Sequence, residues 1–328
     1  MPSVPKIASP ATGDITLGKQ LPSEWKNKFD TLHQTYSSVF NPTIGRYNDN
    51  FGKVRARVNI GPVSPPNRKL RVPSYSPENR QILQSKFDEL EQQGVFVRPE
   101  DVGVAVEHVS PSFLVKKPSG GHRLVTAFTT IGEYSKTLPT IMPTVDETLR
   151  TISTWNFIIA TDLRDAFYQI PLEKGSMKWC ATPTPFKGLS VYAVSTQGMP
   201  DSSETLKETM CAVLGPLIQE GCVAKIADDL YVGGKDIPSL FSNWSKTLER
   251  ICSSDLTLKA NKTVIAPTHL QILGWNWHNG TISACQHKIT PLASCEPPKT
   301  VTALRSFIGS YKVFNRVIRG CSRYLEDL

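Results

Sequence analysis

Apolar residues recur at helical spacing in some stretches and run together or alternate in others. Over residues 22–40, Trp25, Phe29, Leu32 and Tyr36 share one face, and Asn41-Pro42 stops the pattern. Ser76-Pro77-Glu78 supplies an N-cap hydroxyl, a proline at the first helical position and an acid at the positive end of the helix dipole. The helix they start is expected to bury Leu83, Phe87 and Leu90 and to end at Gly94. A further helix is predicted over 202–220, with Leu206, Met210, Val213, Leu214 and Leu217 on one face, a kink at Pro216 and a stop at Gly221. Residues 240–252, with Phe241, Trp244, Leu248 and Ile251 inward, and residues 300–318 complete the helical set.

The strand signals are shorter. Residues 113–117 and 122–128 read as two strands around Pro118-Ser119-Gly120-Gly121, a hairpin signal. Residues 157–161 form an apolar strand, 222–226 and 230–232 flank Ala227-Asp228-Asp229, and 271–277 reads as one strand. A proline-rich extended stretch runs through Pro62, Pro65, Pro66 and Pro73. Helices and short strands mix without the regular alternation of a doubly wound sheet, which predicts an α+β fold.

Composition changes the picture only in part. The chain has 328 residues, 39% of them hydrophobic, ample for a core and for more than one domain or subdomain. Its 37 basic and 29 acidic side chains leave a net charge of +8, which suits a polyanionic partner without specifying one. None of the seven cysteines sits in a C-x-x-C pair, which argues against a zinc site and for reduced intracellular thiols. No apolar run approaches the roughly 20 residues of a membrane helix. Residues 1–19 are rich in Pro, Ser, Thr and Gly and lack the apolar core of a secretory signal. Residues 1–21 read as a linker, which implies a chain cut from, or evolved within, something longer.

Chemistry concentrates in two places. Ile226-Ala227-Asp228-Asp229-Leu230-Tyr231-Val232 sets two adjacent carboxylates between apolar stretches, where a hairpin would hold them at its tip. Taken alone, this is an ordinary solvated Asp-Asp turn. Ala160-Thr161-Asp162 ends a buried strand on a third carboxylate. If that strand lies beside the hairpin, Asp162, Asp228 and Asp229 converge as hard oxygen ligands, the arrangement that two-metal phosphoryl transfer requires.

With these residues in view, the sequence resembles the reverse transcriptases of gypsy-type LTR retrotransposons and, more distantly, those of retroviruses. The resemblance runs from about Leu21 to Leu328. Ser110-Pro111-Ser112-Phe113-Leu114-Val115-Lys116-Lys117 resembles the fingers hairpin before the first catalytic motif. Thr161-Asp162-Leu163-Arg164-Asp165-Ala166-Phe167-Tyr168-Gln169-Ile170-Pro171-Leu172 resembles the first aspartate motif. Gln197-Gly198-Met199-Pro200 is similar to the glycine turn that braces template and nucleotide, and Ala227-Asp228-Asp229-Leu230-Tyr231-Val232-Gly233 to the paired-aspartate hairpin. Leu273-Gly274-Trp275 resembles the loop that grips the primer end. Pro298-Lys299-Thr300 with Leu304-Arg305-Ser306-Phe307-Ile308-Gly309 resembles the start of the thumb.

The resemblance implies a right-hand polymerase fold: a linker (1–21), an N-terminal extension (22–74), fingers (75–138 and 171–198), palm (139–170 and 199–284) and a partial thumb (285–328). It implies an RNA-directed DNA polymerase that extends a primer on an RNA or DNA template from deoxynucleoside triphosphates. Two Mg2+ ions, replaceable by Mn2+, would be held by Asp162, Asp228, Asp229 and the backbone of Leu163. Lys117 and Arg123 would reach the triphosphate, Asp165, Ala166 and Gln197 would line the nucleotide pocket, and Phe167 would sit under the sugar. Taken alone, Phe167 is equally an ordinary core aromatic. Gly198, Leu273, Gly274 and Trp275 would contact primer and template. Lys262 is a candidate general acid toward pyrophosphate, with Lys259 close by.

Relatives carry an aromatic where Ile226 stands, a proline where Ser203 stands, and an acidic residue, Arg and Asn in the region of Ala127, Thr129 and Gly132. RNase H and integrase regions are absent from the sequence, which implies membership of a longer pol polyprotein acting in the cytoplasm or a virus-like particle, with no membrane partner. The alternative is a domesticated, non-catalytic relative that binds nucleic acid. An RNA polymerase with a similar palm is disfavoured by Phe167, and a ribonuclease by the lack of further acids and a histidine. The basic thumb stretch, with Lys288, Lys299, Arg305, Lys312 and Arg316, suits salt-sensitive contact with phosphate backbones.

Overall fold

In a computed structural model of the chain, the structure describes residues 12–66, 75–117, 120–137, 144–226, 228–316, 320 and 323. Its centre is a five-stranded sheet in the order Thr16–Leu17, Val264–Ile265, Phe157–Asp162, Asp229–Gly234, Val223–Ile226. Successive side chains on a strand point to opposite faces, and here both faces are buried. Ile159, Leu230 and Val232 face a large core with Trp244, Leu248, Val213 and Leu214. Ile158, Ala224, Ile226 and Tyr231 face a second core with Leu149, Ile152, Trp155, Trp275 and Trp277. That is why these strands read as continuous apolar runs and not as alternating ones.

The first core is closed by the helices Ser202–Gln219 and Ile237–Ser253. The second of these starts earlier than its apolar period suggests, because Asp236 caps it by accepting from Ser239 N at 2.8 Å. Helix Ser23–Thr35 packs on its outer side, with Phe29 edge-on to Phe241 at 5.1 Å. There Trp244 Nε1 donates to His33 Nε2 at 3.0 Å. The second core is closed by helix Val145–Ile152, which carries a Thr144–Glu147 capping box. Gly233 permits the close fit on this side: a Cβ there would stand 1.8 Å from the Trp155 ring.

Away from the centre, Ser112–Lys116 and His122–Thr126 pair as the expected antiparallel hairpin; Pro118 and Ser119 of its connection lie outside the described residues. Its base rests on a three-stranded sheet of Phe96–Val97, Gly188–Tyr192 and Ala181–Thr184. The join is a buried chain of hydroxyls: Ser112 with Thr126 at 2.6 Å and with Thr182 at 2.7 Å, and Thr126 with Tyr192 at 2.7 Å. Helix Pro77–Gln92 begins as the sequence predicts, with Ser76 Oγ accepting from Asn79 N at 3.3 Å.

Three expectations need correction. Of the supposed linker, Thr16–Leu17 form an edge strand of the central sheet: Thr16 N donates to Thr263 O at 3.0 Å, Gly18 N donates to Ile265 O at 2.8 Å, and Leu21 is buried. A two-residue strand is too short to show a period; residues 1–11 lie outside the described residues. The single strand over 271–277 is two, Leu270–Ile272 and Trp275–His278, folded back at Leu273-Gly274 and extended by Thr281–Ala284. Both turn residues have positive φ, +46° and +77°, the geometry of a two-residue hairpin loop. The last helix spans Val301–Lys312 and tightens into a short 3-10 turn at Val313–Arg316, where Phe314 is drawn against Trp275; Ile318 lies outside the described residues.

Candidate active site

Strand register assembles the carboxylates. In the antiparallel pair Phe157–Asp162 and Asp229–Gly234, the last residue of one, Asp162, stands opposite the first of the other, Asp229. On the other side of the same strand, Ile226 stands opposite Asp229, so Asp228 lies in the tight turn between them. Ala227 lies outside the described residues. All three aspartates line one cavity of about 800 Å3. The carboxyl of Asp229 is pushed above the usual carboxylate range, first by partial burial and next by the Asp162 charge. The Tyr231 hydroxyl, which donates to Asp229 Oδ2 at 3.4 Å, opposes that rise, and the Asp228 charge adds to it. Like charges gathered so closely call for a cation. Lys259 Nζ forms an ion pair with Asp162 Oδ2 of this trio, at 3.0 Å.

The loop after Asp162 is held from behind. Asp165 adopts a left-handed backbone, φ 42° and ψ 55°, before the 3-10 turn Ala166–Gln169. Such a conformation is uncommon for a residue other than glycine and persists where its surroundings impose it. Here they do. Gln169, fully buried, donates through Nε2 to Arg164 O at 2.6 Å and Thr257 O at 2.9 Å, and its Oε1 accepts from Thr257 N at 2.7 Å. The Arg46 guanidinium donates to the carbonyls of Tyr168 and Gly45, and to that of Gln93 at 2.8 Å. Burial holds Arg46 below the ordinary arginine range. Asp165, Ala166 and Phe167 thereby form part of the cavity wall beside Leu163.

Opposite them, Lys117 and Arg123 come from the exposed end of the hairpin, and Gln197 and Gly198 from the turn before helix Ser202–Gln219. Arg123 Nη1 donates to Gln197 Oε1 at 3.2 Å, which links the two segments. Every residue assigned above to metal, triphosphate or nucleotide contact therefore lines the same cavity, as does Gly198.

The remaining assignments lie elsewhere. Leu273 and Gly274 form the tip of their own hairpin, with Leu273 47% exposed, outside the cavity wall. Trp275 is 1% exposed; it packs edge-on to Phe314 with Lys288 Nζ 4.1 Å from its ring centroid, and so supports the tip from within. Lys262 is exposed at the end of the turn Ala260–Lys262, while Lys259 is the lysine in the cavity wall. Ile226, where relatives carry an aromatic, is buried in the second core.

Sequence reasoning overlooked Arg46, gave Gln169 no role and named Lys259 only as a neighbour. No local signal marks them, because each has a partner far along the chain, 122, 88 and 97 residues away.

The donor set fits magnesium. Carboxylate oxygens are hard ligands, and the Asp229 carboxyl, raised first by burial, is raised further by the Asp162 and Asp228 charges, which a cation would offset. Among the described residues no three His, Cys, Asp or Glu side chains are placed to hold a metal ion unaided, which leaves an open arrangement that substrate phosphates would have to complete. Mg2+ in nucleotide-handling sites is held in that open manner, by one or two carboxylates together with substrate phosphates.

Comparison with known proteins agrees in kind. Residues 115–277 match the family model described as "Reverse transcriptase (RNA-dependent DNA polymerase)". The chain is 22% identical over 261 residues to the retrovirus-related Pol polyprotein from transposon opus of Drosophila melanogaster, covering 77% of this chain and 25% of that one. It is 23% identical over 228 residues to the Gag-Pro-Pol polyprotein of human T-cell leukemia virus 2, covering 67% of this chain and 15% of that one. The chain thus spans a quarter or less of the length of these relatives. Among solved structures, it is similar to a foamy viral protease-reverse transcriptase in complex with double-stranded DNA, with a TM-score of 0.73 at 15% identity over 94% of this chain and 52% of that one. A foamy viral protease-reverse transcriptase with an RNA/DNA hybrid gives 0.68 at 17% identity, over 90% of this chain and 38% of that one. The fold is that of a right-hand polymerase.

Proposed function

We propose that the chain is the polymerase part of an RNA-directed DNA polymerase of a gypsy-type retroelement, extending a DNA primer on an RNA or DNA template from deoxynucleoside triphosphates. The observation that carries this reading is the register of Asp162 against Asp229, which brings three carboxylates into the cavity that also holds Lys117, Arg123 and Phe167. The retroviral and retrotransposon relatives are polyproteins, so the working form is taken to be longer, with RNase H and integrase regions, and to act in the cytoplasm or a virus-like particle. Within this chain we divide the fold into the fingers, palm and partial thumb set out above, with residues 12–21 moved to the palm. No helix among the described residues is long and apolar enough to cross a membrane.

Each side chain has a task that follows from its place. Asp162, Asp228, Asp229 and the backbone of Leu163 would hold two magnesium ions, which when bound supply charge neutralisation at the attacking hydroxyl and at the leaving group. Lys117 and Arg123 draw the triphosphate across the cavity from the aspartates, charge and forked donors suiting them to phosphate oxygens. The Arg123–Gln197 bond orients the guanidinium toward the nucleotide. Phe167 closes the space beneath the sugar, so that a 2′-hydroxyl meets the ring and a deoxyribose fits, a choice made by exclusion. Leu273 at its exposed hairpin tip suits contact with the primer strand, Gly274 lets the turn form and Trp275 anchors it. Lys262 remains a candidate proton donor to pyrophosphate.

The direct test is extension of a DNA primer on an RNA template with magnesium and deoxynucleoside triphosphates. The expected product is full-length DNA, lost on chelation and in the Asp228→Asn variant. Binding of primer–template by the purified, folded chain with no extension in either magnesium or manganese would favour a non-catalytic, nucleic-acid-binding relative instead.

A further inference from the structure

Lys259 is built into the palm more firmly than a surface lysine. Its backbone N–H donates to Asp162 O at 2.9 Å. Its carbonyl accepts from Thr263 Oγ1 at 2.9 Å and from Lys262 N at 3.1 Å. Thr263 in turn meets Thr161 through their hydroxyls at 2.7 Å, in a buried contact. The next residues, Val264–Ile265, pair with Ala160 and Ile159 in the central sheet. With the Cα fixed beside Asp162, the ammonium reaches Asp162 Oδ2 at 3.0 Å. Both partners keep some exposure, 29% for the Lys259 side chain and 21% for that of Asp162, so the pair is solvated enough to open.

We propose that Lys259 is a resident counter-ion that competes with a divalent cation for Asp162, so that the cation site fills together with a nucleoside triphosphate and not before it. The proposal rests on the reading of Asp162 as a cation ligand given above. The ammonium occupies one acceptor site of the Asp162 carboxylate, and its charge there both satisfies the anion and repels a divalent ion approaching the same group. Lys259 lines the same cavity as Lys117 and Arg123, where a triphosphate is expected. The phosphates give the displaced ammonium another anion, and linkage then requires that nucleotide tighten metal and metal tighten nucleotide by the same factor. No covalent step is involved; one cation replaces another on a carboxylate oxygen.

The test is Mn2+ binding to the purified chain, followed by electron paramagnetic resonance of the free ion, without primer or template. Removing the charge in Lys259→Met, or in Lys259→Gln, is expected to tighten Mn2+ binding in the absence of nucleotide by roughly three- to tenfold. The same variants should gain less affinity on adding a deoxynucleoside triphosphate than the unaltered chain gains. Lys259→Arg keeps the cation and should leave Mn2+ binding close to that of the unaltered chain. Thermal melting without metal checks that each variant is folded, and the two neutral variants stand in for each other if one is not. Unchanged or weakened Mn2+ binding in the folded neutral variants overturns the competition. Asp162→Asn separates the two ideas: if it leaves Mn2+ binding intact, the reading of Asp162 as a cation ligand falls. If it weakens binding while Lys259→Met does not strengthen it, only the role of Lys259 falls.

Discussion

The aspartate end of the central sheet and the hairpin of Ser112–Lys116 and His122–Thr126 face each other across one cavity, yet they are held in opposite ways. Asp162 and Asp229 end strands buried on both faces, between two cores that contain tryptophan, and Asp228 sits in the turn beside them. The hairpin has two strands, a buried hydroxyl chain at its base, and an end at which Val115, Lys116 and Lys117 are exposed. A two-stranded ribbon without a core on both sides is marginal by itself. The contrast matches what each side has to do. On the proposed function, carboxylates that share cations would need a fixed mutual geometry, whereas lysine and arginine that collect a triphosphate from solution would need reach.

The largest effect should come from breaking the buried side and the exposed side separately. Asp162→Asn keeps shape and removes charge, and is expected to lower kcat by roughly a hundredfold or more with the thermal midpoint nearly unchanged. Lys117→Ala, at the exposed end, should instead raise KM for the nucleotide, by about tenfold, with kcat nearly unchanged. Steady-state extension kinetics on both variants decide the matter: two variants with the same kcat and KM pattern would erase the distinction.

Next in size is a pH effect confined to the buried side. Burial lowers His33 to about 4 from its ordinary 6.5. The folded chain keeps this ring neutral to accept from Trp244, while the unfolded chain protonates it. Its contribution is therefore complete above pH 6.5 and lost as pH falls toward 4, by about 3 kcal/mol at the limit. Urea unfolding between pH 7 and pH 4.5 should show this loss, and His33→Gln, which retains an acceptor and does not titrate, should flatten it. An equal slope in the variant would assign the acid sensitivity to other groups.

The smallest effect concerns the base of the hairpin. Tyr192→Phe removes one hydroxyl from the chain that joins Ser112, Thr126 and Thr182, at a cost of about 1–2 kcal/mol. If this chain aims the hairpin, nucleotide KM should rise by a small factor at temperatures where the variant is fully folded. A stability loss with no change in KM would make the chain a plain core contact.

Much of the molecule could be read from the sequence. Helix Pro77–Gln92 was legible because cap, proline and apolar period agree, and the strand Phe157–Asp162 because both its faces are apolar. That Asp162, Asp228 and Asp229 would share one cavity could be expected only from the length of the motifs around them, since an Asp-Asp turn taken alone is ordinary. Helix Val145–Ile152 was missed although Thr144 and Glu147 spell a capping box, since eight residues show little more than two turns of pattern. The strand Thr16–Leu17 was missed because two residues have no period at all.

What the sequence determined by itself was therefore local geometry, which helices and which turns, together with a set of candidate carboxylates and cations. What only the tertiary structure decided was which of these meet. Gln169 and Thr257, Arg46 and Tyr168, and Lys259 and Asp162 are joined across long stretches of chain, by strand register and by a loop held in a left-handed turn at Asp165. Local sequence can encode a period or a cap, because those depend on neighbours within a few residues. A contact between distant segments depends on how the whole core closes, so no short motif announces it.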